Sequence, residues 1–543
     1  MILFGFLGFT GLVALVTILG TRRHDVGQTA EGFFLGGRSL TGWVIAGSLL
    51  LTNLSTEHLI GLNGDAFQHT IAVMAWETTA ALAMVLTAMI FLPRYLQRGI
   101  TTIPEYLEKR FDRTTRVIMS LLFLLSYVAA ILPVVLIFGA AGLENLFDVS
   151  ATLGIDVEQA RWMLIWGIGT LGSLYAIFGG LRAVAISDTV NGIGFLFAGI
   201  LVTVLGLMAV GDGSAVQGLS TVYREEYPKF DITGDEPGSF LPFGVLFTGM
   251  IINQIFFWCV NQSILQRALG ARSLAEGQKG VLVGAFLKLL GPLIVVLPGV
   301  IAWHMFKSEL TAADYLLAYP TLVKAVLPPA LSGVFAAVMV GAVLSTFNSV
   351  LNSAATLWSF GVYRSLINRD ADDRQLVRTG RICSIVLAIT AMFAAPLIDT
   401  GGSLYNYLQQ INATFFGPML AVVLAALFTR WVSAAAAKAA LIVGPVLFFT
   451  INFALHDRIQ AWLGSAFGLS DPVHFLHFLA FVFGLTLVLM VVVSRLRPRD
   501  PSEGVVIGEG PASPVDMSPW RHARWVSGLV VVCTVATYVA LAQ

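Results

Sequence analysis

Apolar residues run along this chain in long blocks separated by short polar loops. A helix that crosses about 30 Å of hydrocarbon needs about 20 mostly apolar residues. Fourteen stretches fit: 2–20, 41–66, 70–93, 117–143, 162–178, 184–210, 241–262, 281–304, 329–361, 382–399, 403–429, 437–455, 473–493 and 525–541. The pattern predicts an all-α polytopic membrane protein with about 14 transmembrane helices. The first stretch lacks a basic leader and a small-residue cleavage site, so it reads as a span and not as a signal peptide. Between spans, Thr102 to Phe111 suits a short amphipathic helix on the inner surface. The longest polar segments, 211–240 and 494–524, are too short for a soluble domain, and the second reads as a Pro/Gly/Ser-rich linker.

Composition narrows the class. Of the 543 residues, 57% are hydrophobic and 12% charged, against about 25% charged in soluble domains. Mean hydropathy is +0.81 and the net charge is zero. These values exclude a soluble globular enzyme, a disordered chain and a nucleic-acid binder. The three cysteines, Cys259, Cys383 and Cys533, lie in apolar stretches and form neither a disulfide framework nor a metal-binding spacing. Positive charge sets the orientation, because cytoplasmic loops keep Lys and Arg. Twenty-five of the 32 basic residues fall on one side, six on the other, and Lys288 inside a span. The split predicts both termini outside, with the Arg22–Arg23 loop in the cytoplasm.

Ionisable residues within spans cost a few kcal/mol and mark cavities or partners. Glu57, His58, Glu77 and Lys288 are the four that stand out. Private pairing between helices is one account of them; a pocket that reads hydroxyl groups is the other. Thr52, Asn53, Ser55 and Glu57 crowd the middle of the 41–66 span. Such residues compete for backbone hydrogen bonds and open helices, and an open helix offers carbonyls to a cation. Interhelical hydrogen bonding explains them equally well. In the 329–361 span, Ser345, Ser349, Asn352 and Thr356 share one helical face. That face suits a small alkali cation, or simply close packing. No nucleophile–base pair or metal cluster supports an enzyme.

Four motifs resemble the solute/sodium symporter family, in the family's order, over about residues 35–430. They are Tyr175–Val184 followed by Ser187-Asp188, Ile103-Pro104-Glu105-Tyr106, Leu351-Asn352-Ser353, and Asn261-Gln262 with Gln266-Arg267. The resemblance implies a 5+5 inverted-repeat core with broken first and sixth core helices. On that basis residues 1–40 form a peripheral helix and cytoplasmic loop, and 41–210 the first repeat. Residues 211–240 form an extracytoplasmic loop, 241–430 the second repeat, and 431–543 peripheral helices.

Within the family, the sodium/glucose and sodium/galactose cotransporters are most similar at the site. The resemblance places the substrate on Asn53, His58, Glu77, Lys288 and Gln409, with Phe257 and Trp258 as the gate. It places sodium, the co-transported ion, on carbonyls of Leu51, Leu54 and Ala342 and hydroxyls of Ser345 and Thr346. A candidate second sodium falls on Asp188, Asn348 and Ser349, where Asn348 replaces the usual hydroxyl. The alternative for Asp188 is a pair with an inner arginine. Phe257 lacks the hydroxyl of the family's gate tyrosine, Ile131 replaces a polar group, and Gln254 offers a substitute hydrogen bond.

The expected function is sodium-coupled import of a hexose-like sugar through the cell membrane by alternating access. The variants kept open are a sugar acid, a cyclitol or an oligosaccharide as cargo, and proton coupling. A transporter-like sensor is disfavoured because no inner segment is long enough to be a signalling domain. The partners expected are a small sugar and the bilayer, with no nucleic acid and no obligate protein.

Overall fold

The computed structural model describes residues 2–21, 29–233, 239–398, 402–469, 471–500 and 515–541. Arg22, Arg23 and residues 501–514 of the expected linker lie outside the described residues. Helices make up nearly everything described, and the β contacts are two isolated bridges, Leu40 with Ala271 and Ser273 with Asp516.

Each of the fourteen apolar stretches falls mainly on helix. Ten described helices are long and apolar enough to cross a membrane, or eleven if a bent pair counts as one span. The count of fourteen is therefore not reproduced, and the differences have structural causes. Stretch 41–66 is interrupted near its middle, at Leu54, and in stretch 241–262 the α-helix is only Gly249–Cys259, ending at Val260. Stretch 281–304 is the bent pair, Leu274–Lys288 and Gly291–Phe306, which meet at 49°. Stretches 162–178 and 184–210 share one run, Val157–Val210, kinked at Gly180.

Burial separates centre from rim. The Leu404–Phe428 window is 83% buried and the Leu331–Ile367 window 78%, whereas Phe4–Thr21 is 6% and Ala523–Leu541 17%. The last two helices therefore show their apolar faces to lipid, and the first two form the core.

Local signals account for the connections. The Ile103–Arg110 helix starts where Thr102 Oγ1 accepts from Glu105 N at 3.3 Å, with Pro104 in its first turn. It buries Ile103, Tyr106 and Leu107 on one side. Arg110 donates to the carbonyls of Thr429 and Val432, just past the Leu404–Phe428 helix, where a cation complements the helix dipole.

The segment after Val210 folds back over the bundle. Its buried Glu226 accepts from Trp303 Nε1 at 3.0 Å, from His304 Nδ1 at 3.1 Å, and from Lys307. Burial alone would raise the Glu226 carboxyl; hydrogen bonds from Lys307, His304 and Trp303 outweigh it and hold the group below its usual range. Lys229 Nζ donates to Phe67 O at 2.6 Å, and burial pushes this amine down to about 8.

At Gly180 the backbone sits at φ 61° and ψ 176°, a region open only to glycine. A Cβ there would also lie 3.1 Å from Phe33 O. Gly180→Ala is expected to cost about 1–3 kcal/mol and lower the melting temperature in detergent. Gly167→Ala, on the same run but with nothing within 4 Å of its Cβ, should match the parent or exceed it. Equal melting of the two variants would contradict the strain at Gly180.

Candidate substrate and sodium site

Two interrupted helices frame the site. Gly42–Asn53 stops where Leu54 leaves helical geometry (φ −77°, ψ 89°), and the chain resumes as a wide π-turn, Glu57–Leu62, and then Asn63–Gln68. Gly249–Cys259 stops at Val260 and resumes as Gln262–Leu269. A helix end inside a membrane leaves carbonyls that lipid cannot satisfy. Here side chains of neighbouring helices meet them. Thr346 Oγ1 donates to Thr52 O at 3.1 Å, and in return Ser55 Oγ, within the break, donates to Ala342 O on the facing helix at 3.3 Å. At the second break Thr87 Oγ1 donates to Trp258 O at 2.9 Å and Tyr95 OH to Cys259 O at 3.0 Å.

A cavity opens between the breaks. Its walls include Asn53, Glu57, His58, Trp76, Glu77, Ile131, Asn253, Gln254, Phe257, Trp258, Thr346, Tyr405 and Gln409. Tyr405 packs edge-on to both His58 and Trp76, at 5.4 and 5.9 Å between ring centroids. Phe257 and Trp258 meet edge to face at 5.5 Å. The cavity thus combines aromatic surfaces with carboxylates, an imidazole and amides, the mixture a hydroxyl-rich solute needs.

Behind the cavity lies a buried ion pair. Lys288 Nζ donates to Glu77 Oε2 at 2.5 Å and also to Asn53 Oδ1. His58 Nε2 lies 3.5 Å from the other Glu77 oxygen, and His58 Nδ1 lies 3.8 Å from Glu57. The bend after Lys288 and the missing side chain at Gly291 make room, since a Cβ there would come within 2.6 Å of Glu77 Oε2.

Of the expected substrate residues, Asn53, His58, Glu77 and Gln409 form walls, as do Phe257 and Trp258. Lys288 is not a wall; it stands behind Glu77 and Asn53, with its Nζ 5.7 Å from the centre of the Trp258 ring. The Gln254 amide is engaged by Trp76 O at 2.8 Å. Asn253 and Tyr405 escaped the sequence reading. Each sits four residues before a predicted residue, Phe257 and Gln409, so helical spacing alone would have found them. Asn253 Nδ2 lies 3.4 Å from Gln409 Oε1.

Of the expected sodium residues, Leu51, Leu54, Ala342 and Thr346 lie at the first break. Leu51 and Leu54 flank its carbonyls, and Ala342 and Thr346 face them from the Pro329–Thr356 helix. Ser345 Oγ is buried without a hydrogen-bond partner among the described residues. A buried hydroxyl without a hydrogen-bond partner, on the helix whose Thr346 meets the Thr52 carbonyl, suits a small hard cation. Asp188 is buried, accepts from Ser48 Oγ at 2.6 Å and lies 3.6 Å from Arg267, which also donates to Ser349 Oγ. Asn348 Oδ1 is left without a partner among the described residues. A second sodium in this group would compete with Arg267 for Asp188 and Ser349.

The sodium:solute symporter family model matches residues 33–444, three quarters of the chain. The chain belongs to that family. Members of the family are transporters, with sodium as the co-transported ion. This symporter is 43% identical over 539 residues to the uncharacterized symporter YidK of Escherichia coli, covering 99% of this chain and 90% of that one. It is 31% identical over 426 residues to a sodium/glucose cotransporter of Vibrio parahaemolyticus, with 74% and 76% covered. A solved Na+-coupled sialic acid symporter, outward-open with substrate bound, superposes with a TM-score of 0.73 at 21% identity, covering 91% of this chain and 98% of that one. That likeness places the symporter in the 5+5 inverted-repeat fold, whose broken helices are the two described above.

The Glu77–Lys288 pair generates a test. Removing one partner leaves a buried charge alone, at about 3–5 kcal/mol. Glu77→Gln and Lys288→Met are each expected to lower the melting temperature, and the double variant to melt well above the sum of the two losses. Additive losses in the double-variant cycle would show the two residues to be independent.

Proposed function

We propose that this symporter imports a hexose-like sugar with sodium by alternating access. The observation that supports this reading best is the cavity itself. Glu77, His58, Asn53 and Gln409 supply acceptors and donors around it, and Trp76, Tyr405 and Phe257 supply flat apolar faces. Its similarity to the Vibrio sodium/glucose cotransporter runs in the same direction.

The sodium reading rests on the break. Sodium held by carbonyls of Leu51, Leu54 and Ala342 and hydroxyls of Ser345 and Thr346 would tie the first broken helix to the Pro329–Thr356 helix. Asn53, on the same broken helix, forms a wall of the sugar cavity. Ion and sugar would therefore stabilise one arrangement of the same helix, which is the requirement for coupling. Phe257 and Trp258 would close the inner side, and rearrangement of the break would release both solutes inward. Lys288 is engaged by Glu77 and Asn53, which favours sodium over a proton carried on this lysine.

The driving force suffices. A tenfold sodium gradient supplies about 1.4 kcal/mol and a 100 mV potential about 2.3 kcal/mol per charge. One sodium can then concentrate a neutral sugar roughly 500-fold. The distribution of Lys and Arg supports both termini outside, so the import direction follows the sodium gradient.

Purified protein in liposomes should accumulate labelled glucose or galactose only under an inward sodium gradient. Thr346→Ala should raise the sodium concentration for half-maximal uptake at least about tenfold, and Gln409→Ala should raise the sugar KM. Uptake driven by an imposed pH gradient and indifferent to sodium would overturn the coupling, and absence of uptake for every sugar would overturn the cargo.

A further inference from the structure

One carboxylate of the cavity keeps a buried oxygen with no hydrogen-bond partner among the described residues. Glu57 opens the π-turn after the first break, is 95% buried and contributes to the cavity wall. Its Oε2 has no hydrogen-bond partner among the described residues. Its other oxygen lies 3.8 Å from His58 Nδ1, which itself has no hydrogen-bond partner among the described residues. A buried carboxylate oxygen without a donor is costly, so its surroundings point to a donor that arrives from outside the chain.

The charges around it decide what that donor is. Glu57 and Glu77 are two carboxylates facing one ammonium, Lys288. That ammonium is held by Glu77 and Asn53 behind the wall. The next cation, Arg267, is fully buried and engaged by Asp188, Ser48 and Ser349. Even with a proton on His58, which lies between the two carboxylates, the cavity reaches only zero net charge. A carboxylate entering it would meet Glu57 without a free cation, and could recruit Lys288 only by stripping Glu77. Like charges in a dry site repel strongly, whereas hydroxyl and ammonium groups donate to Glu57 directly.

We propose that Glu57 is a substrate-contact and charge-selecting residue: the site takes hydroxyl-rich solutes that are neutral or carry an ammonium group, and rejects sugar acids. The inference rests on the sugar reading above and sharpens it. It separates this site from the cargo of the fold neighbour, whose sialic acid bears a carboxylate; the 21% identity to that neighbour carries only the fold.

The experiment compares initial uptake of labelled glucose, glucosamine and glucuronate into proteoliposomes under the same inward sodium gradient. In the parent protein glucuronate should enter at least about tenfold more slowly than glucose, and glucosamine at a rate equal to glucose or faster. Glu57→Gln should raise the glucuronate-to-glucose rate ratio at least about tenfold, and Glu57→Asp, which keeps the charge, should hold the parent ratio. A packing role for Glu57 would lower all three rates together and leave the ratios unchanged, which overturns the proposal. Glucuronate entering the parent protein as fast as glucose overturns it without any variant, so a Glu57→Gln protein that fails to fold does not shelter it. Sodium-driven uptake of glucuronate alone would leave sodium coupling standing and sink the charge selection. No sodium-driven uptake of any of the three sugars would instead overturn the sugar reading on which the proposal rests.

Discussion

Stopping a helix in the middle of a membrane frees backbone carbonyls where no water can reach them, and every one must be met by another part of the protein. The rest of this structure follows from meeting that condition twice. At Leu54 the partner is Thr346, which donates to Thr52 O; at Val260 the partners are Thr87 and Tyr95, which donate to the carbonyls of Trp258 and Cys259. These groups sit on other helices, so neither break can be held by its own span. The same geometry underlies the proposed sodium site, which draws its carbonyls from the first break.

The buried charges extend that linkage. Lys288 joins the Leu274–Lys288 helix to Glu77 on Ala75–Leu86 and to Asn53 at the first break. Beyond the break, Asn63 Nδ2 donates to Leu59 O and Ile294 O, its Oδ1 accepts from Gly299 N, and Lys229 reaches Phe67 O. The outer half of the broken helix is thus tied to the bent pair that carries Lys288. The break and Glu77, which faces the cavity, are linked directly, because Lys288 donates to both Asn53 and Glu77. Such a network fixes one arrangement tightly while leaving a second one accessible if all its members move together.

Much of this was legible in the chain, for reasons that differ by feature. Apolar blocks reported the helices because the bilayer demands them, but hydropathy measures length and not continuity. It therefore counted 41–66 and 241–262 as whole spans. The first break announced itself through Thr52, Asn53 and Ser55, polar residues with no other reason to crowd a span. The second had no such signature in the pattern and came only with the family resemblance. Glu77 and Lys288 stood out as charges in spans, yet their contact, and the retreat of Lys288 behind Glu77, depends on the bend beside Gly291, which no residue spacing encodes. Asn253 and Tyr405 were missed because an amide or a phenol inside a span is ordinary, and only its neighbour four residues on marks its face. Asp188 illustrates the opposite case: both an ion site and an arginine partner were open, and the fold brings Arg267 to it from a helix 79 positions along the chain.

The central claim is that ion and sugar act on one broken helix. The most direct measurement is the affinity of the purified protein for glucose or galactose in detergent, by calorimetry, in saturating sodium and in choline of equal ionic strength. The account predicts at least about tenfold tighter binding with sodium and, by linkage, the same factor for sodium affinity with and without sugar. Equal sugar affinity in the two salts would contradict it, because a helix that both solutes stabilise cannot bind them independently.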